Sequence, residues 1–599
     1  MFQTFDVTAR PEQGPPRLAM LRDQMCVSGL DGFLVPRADA HQGEYVAEHD
    51  ARLAWLTGFT GSAGFCAVLA DVAGVFIDGR YRTQVKDQVA DVYTPVPWPD
   101  VQLGAWLKAQ MPQGGQVGYD PWLHSVREID RATRALNGSG ITLVQSDNLV
   151  DRIWADQPKP PMQAAKPHPL EFAGEAAADK CARLAKGLRE VGHKAAVITL
   201  PDAIMWLLNI RGADIARNPV AHGFAVLQDD GQVALFMAAA KLVDITDHLG
   251  DRVVQHDPDT FLDYLRAMTG PVRIDHQTVP QKVADALGRN ATFGDDPCAL
   301  PKARKNAAEI EGAAQAHLRD GAAMVAVLAW LDNQAPGSIT EIDVVTKLEA
   351  LRRQDNALRD ISFDTISGTG PNGAIMHYRV SDESNARLEA GHLLVLDSGG
   401  QYLDGTTDIT RTIPIGQIGQ IGQDERLAYT RVLQGLIGMS RLRWPAGLAG
   451  RDIEMIGRVA LWQAGQDFNH GLGHGVGAYL SVHEGPQRLS KLSQVPLEPG
   501  MILSNEPGYY REGAFGMRLE NLIVVQKAPA LPGGDDERVM LDWRTLTFVP
   551  FDRRLIVLDM LTGPERDWLN TYHTAVAEKI GPRLGESDRL WLDKATAPL

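Results

Sequence analysis

The chain has 599 residues, 44% of them hydrophobic and 22% charged, which is too long for one ordinary core and unlike a disordered or fibrous sequence. Its 59 Lys and Arg against 75 Asp and Glu leave a formal charge of -16, so the broad basic face that a general nucleic-acid binder needs is not expected. Four scattered cysteines, Cys26, Cys66, Cys181 and Cys298, form no Cys-x-x-Cys pair; they argue against a disulfide framework or a thiolate zinc site and read as buried reduced thiols.

The first residues lack a basic segment followed by an apolar stretch, so no secretory leader is expected and the cytoplasm is the expected compartment. Residues 1–156 alternate helical and strand patterns, with GFLVP from Gly32 and GVFID from Gly74 as candidate strands of an α/β domain. Prolines at 158, 160, 161, 167 and 169 then interrupt any regular pattern and mark a boundary. A second α/β pattern covers 157–302, with candidate strands at Ala195–Leu200, Phe224–Leu227 and Ala234–Met237.

The third domain, 303–599, opens on a helix predicted from Lys305 through Leu331 and closes on an extension from about residue 535. Within that helix the apolar run Ala322–Leu331 lies between Asp320 and Asp332, too short to span a bilayer, so a buried helix and no membrane association are expected. From Leu393 the pattern turns to strands that read as neighbours in one antiparallel sheet, joined in part by the turn-rich Ser398–Gly405. The tandem GQIGQIGQ at Gly416–Gln423 reads as a surface loop without chemistry.

Five residues of this last domain carry metal-ligand chemistry. Asp397 closes a strand and Asp408 falls in the next one, so a hairpin can bring two mutually repelling carboxylates together, although strand-end aspartates on the surface fit the same pattern. His474 sits in GLGHGVG, where flanking glycines permit close backbone approach, or simply a loop. Glu506 ends a strand before Pro-Gly, and Glu520 leads into LENLIVV; each needs a partner or open solvent. Together, four carboxylates and one imidazole suffice for two divalent ions. Oxygen-rich ligation favours manganese, with cobalt or zinc as substitutes, and such a pair activates water and polarises a carbonyl.

The order and spacing of these blocks resemble the pita-bread metallopeptidases of family M24, and most closely the long, three-domain aminopeptidase P or Xaa-Pro aminopeptidase group. The likeness rests on SGTGPNGAIMHY ending at Tyr378, LDSGG at Asp397, TDITRT at Asp408, HGLGHGVG from His470, VHEGP from Val482, NEPGYY at Glu506 and MRLEN at Glu520. LTGFTGSAG ending at Gly64, DGRY at Asp78 and WLLNIRGAD from Trp206 extend it to the amino-terminal half. Leu472 stands where a small polar residue is common, and the GQI duplication is unusual.

The resemblance implies two creatinase-type N-terminal α/β domains followed by a catalytic domain with a curved antiparallel sheet. It implies Asp397 as the bidentate ligand of one metal, Asp408 and Glu520 as bridging ligands, and His474 and Glu506 as the remaining ligands of the other. Glu506 is also the implied general base, His377, His470 and His483 are implied to line the substrate site, and Arg518 is implied to hold a ligand carboxylate in place. The implied reaction removes the first residue from peptides with proline second, and the implied assembly is a homodimer. A prolidase-like dipeptidase, or an inactive pita-bread module that binds peptides or histones, is the alternative.

Overall fold

A computed structural model describes residues 1–535 and 537–599, and its contacts divide the chain into two compact units, Thr8–Lys302 and Met1–Val7 with Ala303–Leu599. The first of these units is built from one design used twice. Short runs rich in Val, Ile, Phe and Ala form two six-stranded sheets, because such side chains suit a pleated surface buried on both faces. One sheet takes its strands from Gly32–Pro36 to Ile141–Gln145, the other from Ala195–Ile198 to Ala291–Phe293.

In each sheet the first strand lies at the centre, antiparallel to the second and parallel to the fifth, and the order across the sheet is 4-3-2-1-5-6. The predicted strands at Gly32 and Gly74 belong to the first sheet, and those at Ala195, Phe224 and Ala234 to the second. Cys66, Cys181 and Cys298 are buried thiols as expected, but Cys26 is exposed near the end of the helix Gly14–Val27.

The second unit is organised by the helix Ala307–Asp332, which starts two residues later than the pattern suggested. Asn306 caps it by accepting hydrogen bonds from the Ala308 and Glu309 N–H groups, and the Glu309 carboxylate accepts in return from the Asn306 N–H. The run at Ala322–Leu331 is the inner face of this helix, where Met324, Val327, Leu328 and Leu331 pack on Leu394, Leu396 and Ile413. Among the described residues no helix is long and apolar enough to cross a membrane.

The strands after Leu393 separate into two antiparallel sheets where one was expected. Ile366–Thr369, Leu393–Ser398 and Ile409–Pro414 form the first, and Trp444–Pro445, Met540–Thr545, Asn521–Lys527 and Ile502–Asn505 the second. A curved antiparallel surface results, because the ladders are stitched at one corner: the Glu520 N–H donates to Thr410 O at 3.1 Å and Thr412 Oγ1 donates to Arg518 O at 2.9 Å. The segment expected as a turn at Ser398–Gly405 contains the short strand Gly400–Tyr402, which pairs with Gly405–Thr406 and Leu358–Ile361.

Two buried cations fix this corner. Arg411 donates to the carbonyl oxygens of Thr410, Glu520, Val549 and Pro550, to Asn521 Oδ1 and to Tyr572 Oη, so the chain's last part is bound to the strands bearing Thr410 and Asn521. Arg352 pairs with the fully buried Asp320 of the long helix, whose other partners are Thr407 Oγ1 at 2.6 Å and Tyr402 Oη at 3.1 Å. Thr407 precedes Asp408. The duplicated GQIGQIGQ makes a short helical turn at Ile418–Gln420 and is mostly exposed apart from Ile421.

Candidate active site

The stitched corner brings the five acidic and imidazole residues onto neighbouring elements. Asp397 is the fifth residue of Leu393–Ser398 and lies opposite Thr410, whereas Asp408 sits one residue before Ile409–Pro414 rather than inside a strand. Glu506 directly follows Ile502–Asn505, and Glu520 directly precedes Asn521–Lys527, two strands paired in register. His474 ends the two-residue strand Gly473–His474. Its neighbours must be glycines here: a Cβ on Gly473 would stand 1.9 Å from Ser504 O, and one on Gly475 2.1 Å from Glu484 O.

His474 Nδ1 donates to Gly475 O at 3.0 Å, an arrangement that leaves Nε2 as a lone pair. That atom faces Asp408 Oδ2 and Glu506 Oε1, each at 3.5 Å, and ligand atoms of Asp408, His474 and Glu520 all lie within 4.8 Å of one another. Ser504 Oγ accepts from the His474 N–H and donates to Glu506 Oε1, tying the histidine to the glutamate.

Burial pushes the Asp408 carboxyl well above its usual range, with repulsion from Asp397 and Glu506 adding to it. Glu520 is pushed the same way by burial and then by Asp408 and Asp397. Glu506 rises to about 7, again by burial first and Glu520 second. Two carboxylate oxygens in the cluster, Asp397 Oδ1 and Glu520 Oε1, are buried with no hydrogen-bond partner. A buried carboxylate oxygen left unpaired is costly, and cations shared among these groups would remove that cost. The donor set therefore fits divalent metal ions.

The expected supporting residues surround the cluster unevenly. Arg518 donates to Asp397 Oδ2 through Nε at 3.2 Å and Nη2 at 2.5 Å, which leaves Oδ1 turned elsewhere. The His483 ring meets the His474 ring edge to face at 4.2 Å. His470 has both nitrogens occupied, Nδ1 by Gly471 O at 2.7 Å and Nε2 by Tyr510 Oη at 3.0 Å. His377 is half-buried just after the turn Gly370–Ala374, and that turn lies against the hairpin Gly508–Arg518 where Gly373 and Gly516 approach. Leu472, the departure from the family pattern, is fully buried beside Gly457.

Sequence reasoning gave no role to Tyr510. Its hydroxyl accepts from Arg518 Nη1 at 2.6 Å and bonds His470 Nε2, so Asp397, Arg518, Tyr510 and His470 form one chain of hydrogen bonds. The signal was present in NEPGYY, where Tyr510 stands four residues after Glu506.

Residues 311–527 match the model of metallopeptidase family M24, residues 17–153 and 156–309 match models of creatinase/prolidase N-terminal domains, and residues 539–599 match a C-terminal region of peptidase M24. Aminopeptidase P2 of Arabidopsis thaliana is 37% identical over 95% of this chain and 86% of its own length. The chain belongs to metallopeptidase family M24. Another relative, a probable Xaa-Pro aminopeptidase P of Laccaria bicolor, is 37% identical over 97% of this chain and 93% of its own. Among solved members, the X-prolyl aminopeptidase of Caenorhabditis elegans, described as a cytosolic enzyme with a di-nuclear active site, superposes with a TM-score of 0.93 at 30% identity and covers 98% of this chain and 100% of its own. The M24 match and the aminopeptidase P relatives make this chain a metallo-aminopeptidase, a hydrolase.

Proposed function

We propose that the chain removes the N-terminal residue from peptides with proline at the second position, using two divalent metal ions held by Asp397, Asp408, His474, Glu506 and Glu520. The observation that carries this reading is the meeting of Asp408, His474 and Glu520 within 4.8 Å, with Glu506 3.5 Å from His474, Asp397 near enough to raise the Asp408 carboxyl, and two buried carboxylate oxygens left unpaired, in a chain related over nearly its whole length to aminopeptidases P. Manganese suits the oxygen-rich set best, with cobalt and zinc as substitutes. When bound, such ions supply the positive charge that acidifies water and polarises the scissile carbonyl.

The remaining work falls to the chain's own groups. Glu506 takes the proton of the attacking water and returns one to the leaving nitrogen. Arg518 holds Asp397 through Oδ2, so that Oδ1 keeps its direction. His377, His470 and His483 line the substrate side; His470, locked by Gly471 and Tyr510, shapes the wall there. Proline has no amide hydrogen and a fixed ring, so the bond before it calls for a shaped pocket that ordinary aminopeptidases lack.

Three domains, 1–156, 157–302 and 303–599, a homodimeric assembly and a cytoplasmic location complete the proposal. Its test is cleavage of Arg-Pro-Pro by purified protein before chelation, after it, and after manganese is restored. Activity should vanish and return, and Asp408→Ala should abolish it. Turnover indifferent to chelation, or retained by Asp408→Ala, overturns the metal assignment, and cleavage of Ala-Pro but not Arg-Pro-Pro overturns the substrate assignment in favour of a dipeptidase.

A further inference from the structure

A second group of ligand-type side chains lies in the Thr8–Lys302 unit and shares no residue with the first. Asp39 follows the strand Gly32–Pro36, Asp50 ends the short turn Glu48–Asp50, and His222 precedes the strand Phe224–Gln228. One ligand atom from each lies within 4.8 Å of the other two. Asp39 is 1% exposed; its Oδ1 accepts from the His41 N–H at 2.8 Å, and its Oδ2 has no hydrogen-bond partner. That orphaned oxygen points at His222 Nε2, which is also buried without a hydrogen bond, 3.4 Å away.

The spacing of one pair, Asp39 Oδ2 and His222 Nε2 at 3.4 Å, is informative. Ligand atoms about 2.0–2.1 Å from a zinc ion in a tetrahedral array stand about 3.3–3.4 Å apart. Arg52 pairs with Asp50 through Oδ1 at 2.9 Å and with Asp151 at 2.6 Å, while Lys241 is taken by Asp214 at 2.5 Å, so the buried Asp39 is the carboxylate that neither cation neutralises. His222 is itself fixed, its backbone N–H donating to Asp214 Oδ2 at 2.7 Å and its ring 4.5 Å from that of His41. Asp50 and His222 keep some contact with solvent, which gives an ion a way in.

We propose that Asp39, Asp50 and His222 form a further metal site, which takes one divalent cation of the zinc or cobalt class and clamps the segment 39–50 to the strand beginning at Phe224. Two carboxylates and one imidazole leave an open position for water, as three-ligand zinc sites do. The first sheet supplies the neighbouring chain of Asp39 and Asp50, and the second that of His222, so the ion joins the two repeats of the unit. The competing occupant of the gap is a proton: burial pushes Asp39 up to about 6 and His222 down to about 4, which allows a protonated Asp39 to donate to the neutral ring.

The test is a count of bound zinc on the full chain. Protein carrying Asp408→Ala and His474→Ala is dialysed to equilibrium against zinc, and metal is measured per chain. One equivalent should remain, and it should be lost when His222→Ala is added. Should the double variant fail to fold, the wild-type chain should bind one equivalent more than either the His222→Ala or the Asp39→Asn single variant. Zinc should also raise the melting temperature of the chain carrying Asp408→Ala and His474→Ala, and adding His222→Ala or Asp39→Asn should remove that rise. Equal zinc counts in wild type and both variants overturn the proposal and leave the shared proton as the occupant. Because the count does not depend on peptide cleavage, it stands or falls separately from the proposed activity.

Discussion

Removing metal from the five-residue cluster should convert it into a pH-dependent fault in the fold. Glu506 stands near 7 against an ordinary value of 4.5. A carboxyl raised in the folded state contributes stability that is full below the unfolded value and lost as pH climbs through the folded one. The rise from 4.5 to about 7 corresponds to roughly 3 kcal/mol for a side chain that is 16% exposed. Asp408 and Glu520 move in the same direction. At about 2 °C per kcal/mol for a unit of this size, the melting temperature of chelated protein should fall by about 6 °C or more between pH 4.5 and pH 8. Manganese should abolish most of that fall by keeping the carboxylates ionised and paired. Fluorescence melts of chelated and reconstituted protein at matched ionic strength decide the matter. If the gap between the two forms is as wide at pH 5 as at pH 8, the burial and repulsion invoked here do not govern the cluster.

Gly473→Ala should drive a methyl group into Ser504 O, displace His474 and reduce both bound metal and peptide turnover by about 100-fold or more, read by metal analysis and an Arg-Pro-Pro assay. Arg518→Ala should weaken metal binding about 10–100-fold by freeing Asp397, while Tyr510→Phe should retain metal and lower turnover, a split that titration against manganese will reveal. Asn306→Ala should cost about 1 kcal/mol in denaturant melts through loss of the helix cap and leave turnover unchanged.

Three of the proposed ligands are legible in the sequence because they lie close to Gly or Pro, where local pattern is strong: Asp397 before Ser-Gly-Gly, His474 among glycines and Glu506 before Pro-Gly. The placement of Asp408 was read less well. Thr407 and Asp408 lie just outside a strand because Thr407 is drawn to Asp320, 87 residues away, a contact that no local pattern encodes. The division into two antiparallel sheets was missed for a similar reason: the join depends on Glu520 and Arg518 bonding to Thr410 and Thr412, more than a hundred positions earlier. Tyr510 sat in a recognised block yet gained meaning only once Arg518 and His470 were seen on either side of it. The equal topology of the two α/β sheets left no repeated sequence to notice, since strand order requires only apolar character at the right intervals.

The six bonds of Arg411 carry an implication for biosynthesis. Three of its acceptors lie 138 to 161 residues further along the chain, so a nascent polypeptide presents all five proposed ligands to the cell before the guanidinium that steadies Glu520 finds its full set of acceptors. A product released early, ending before Val549, would bear every catalytic group and still lack a settled place for them. Hydrolytic competence would then await the segment from Val549 to Tyr572, and a truncated product tested for Arg-Pro-Pro cleavage should be silent.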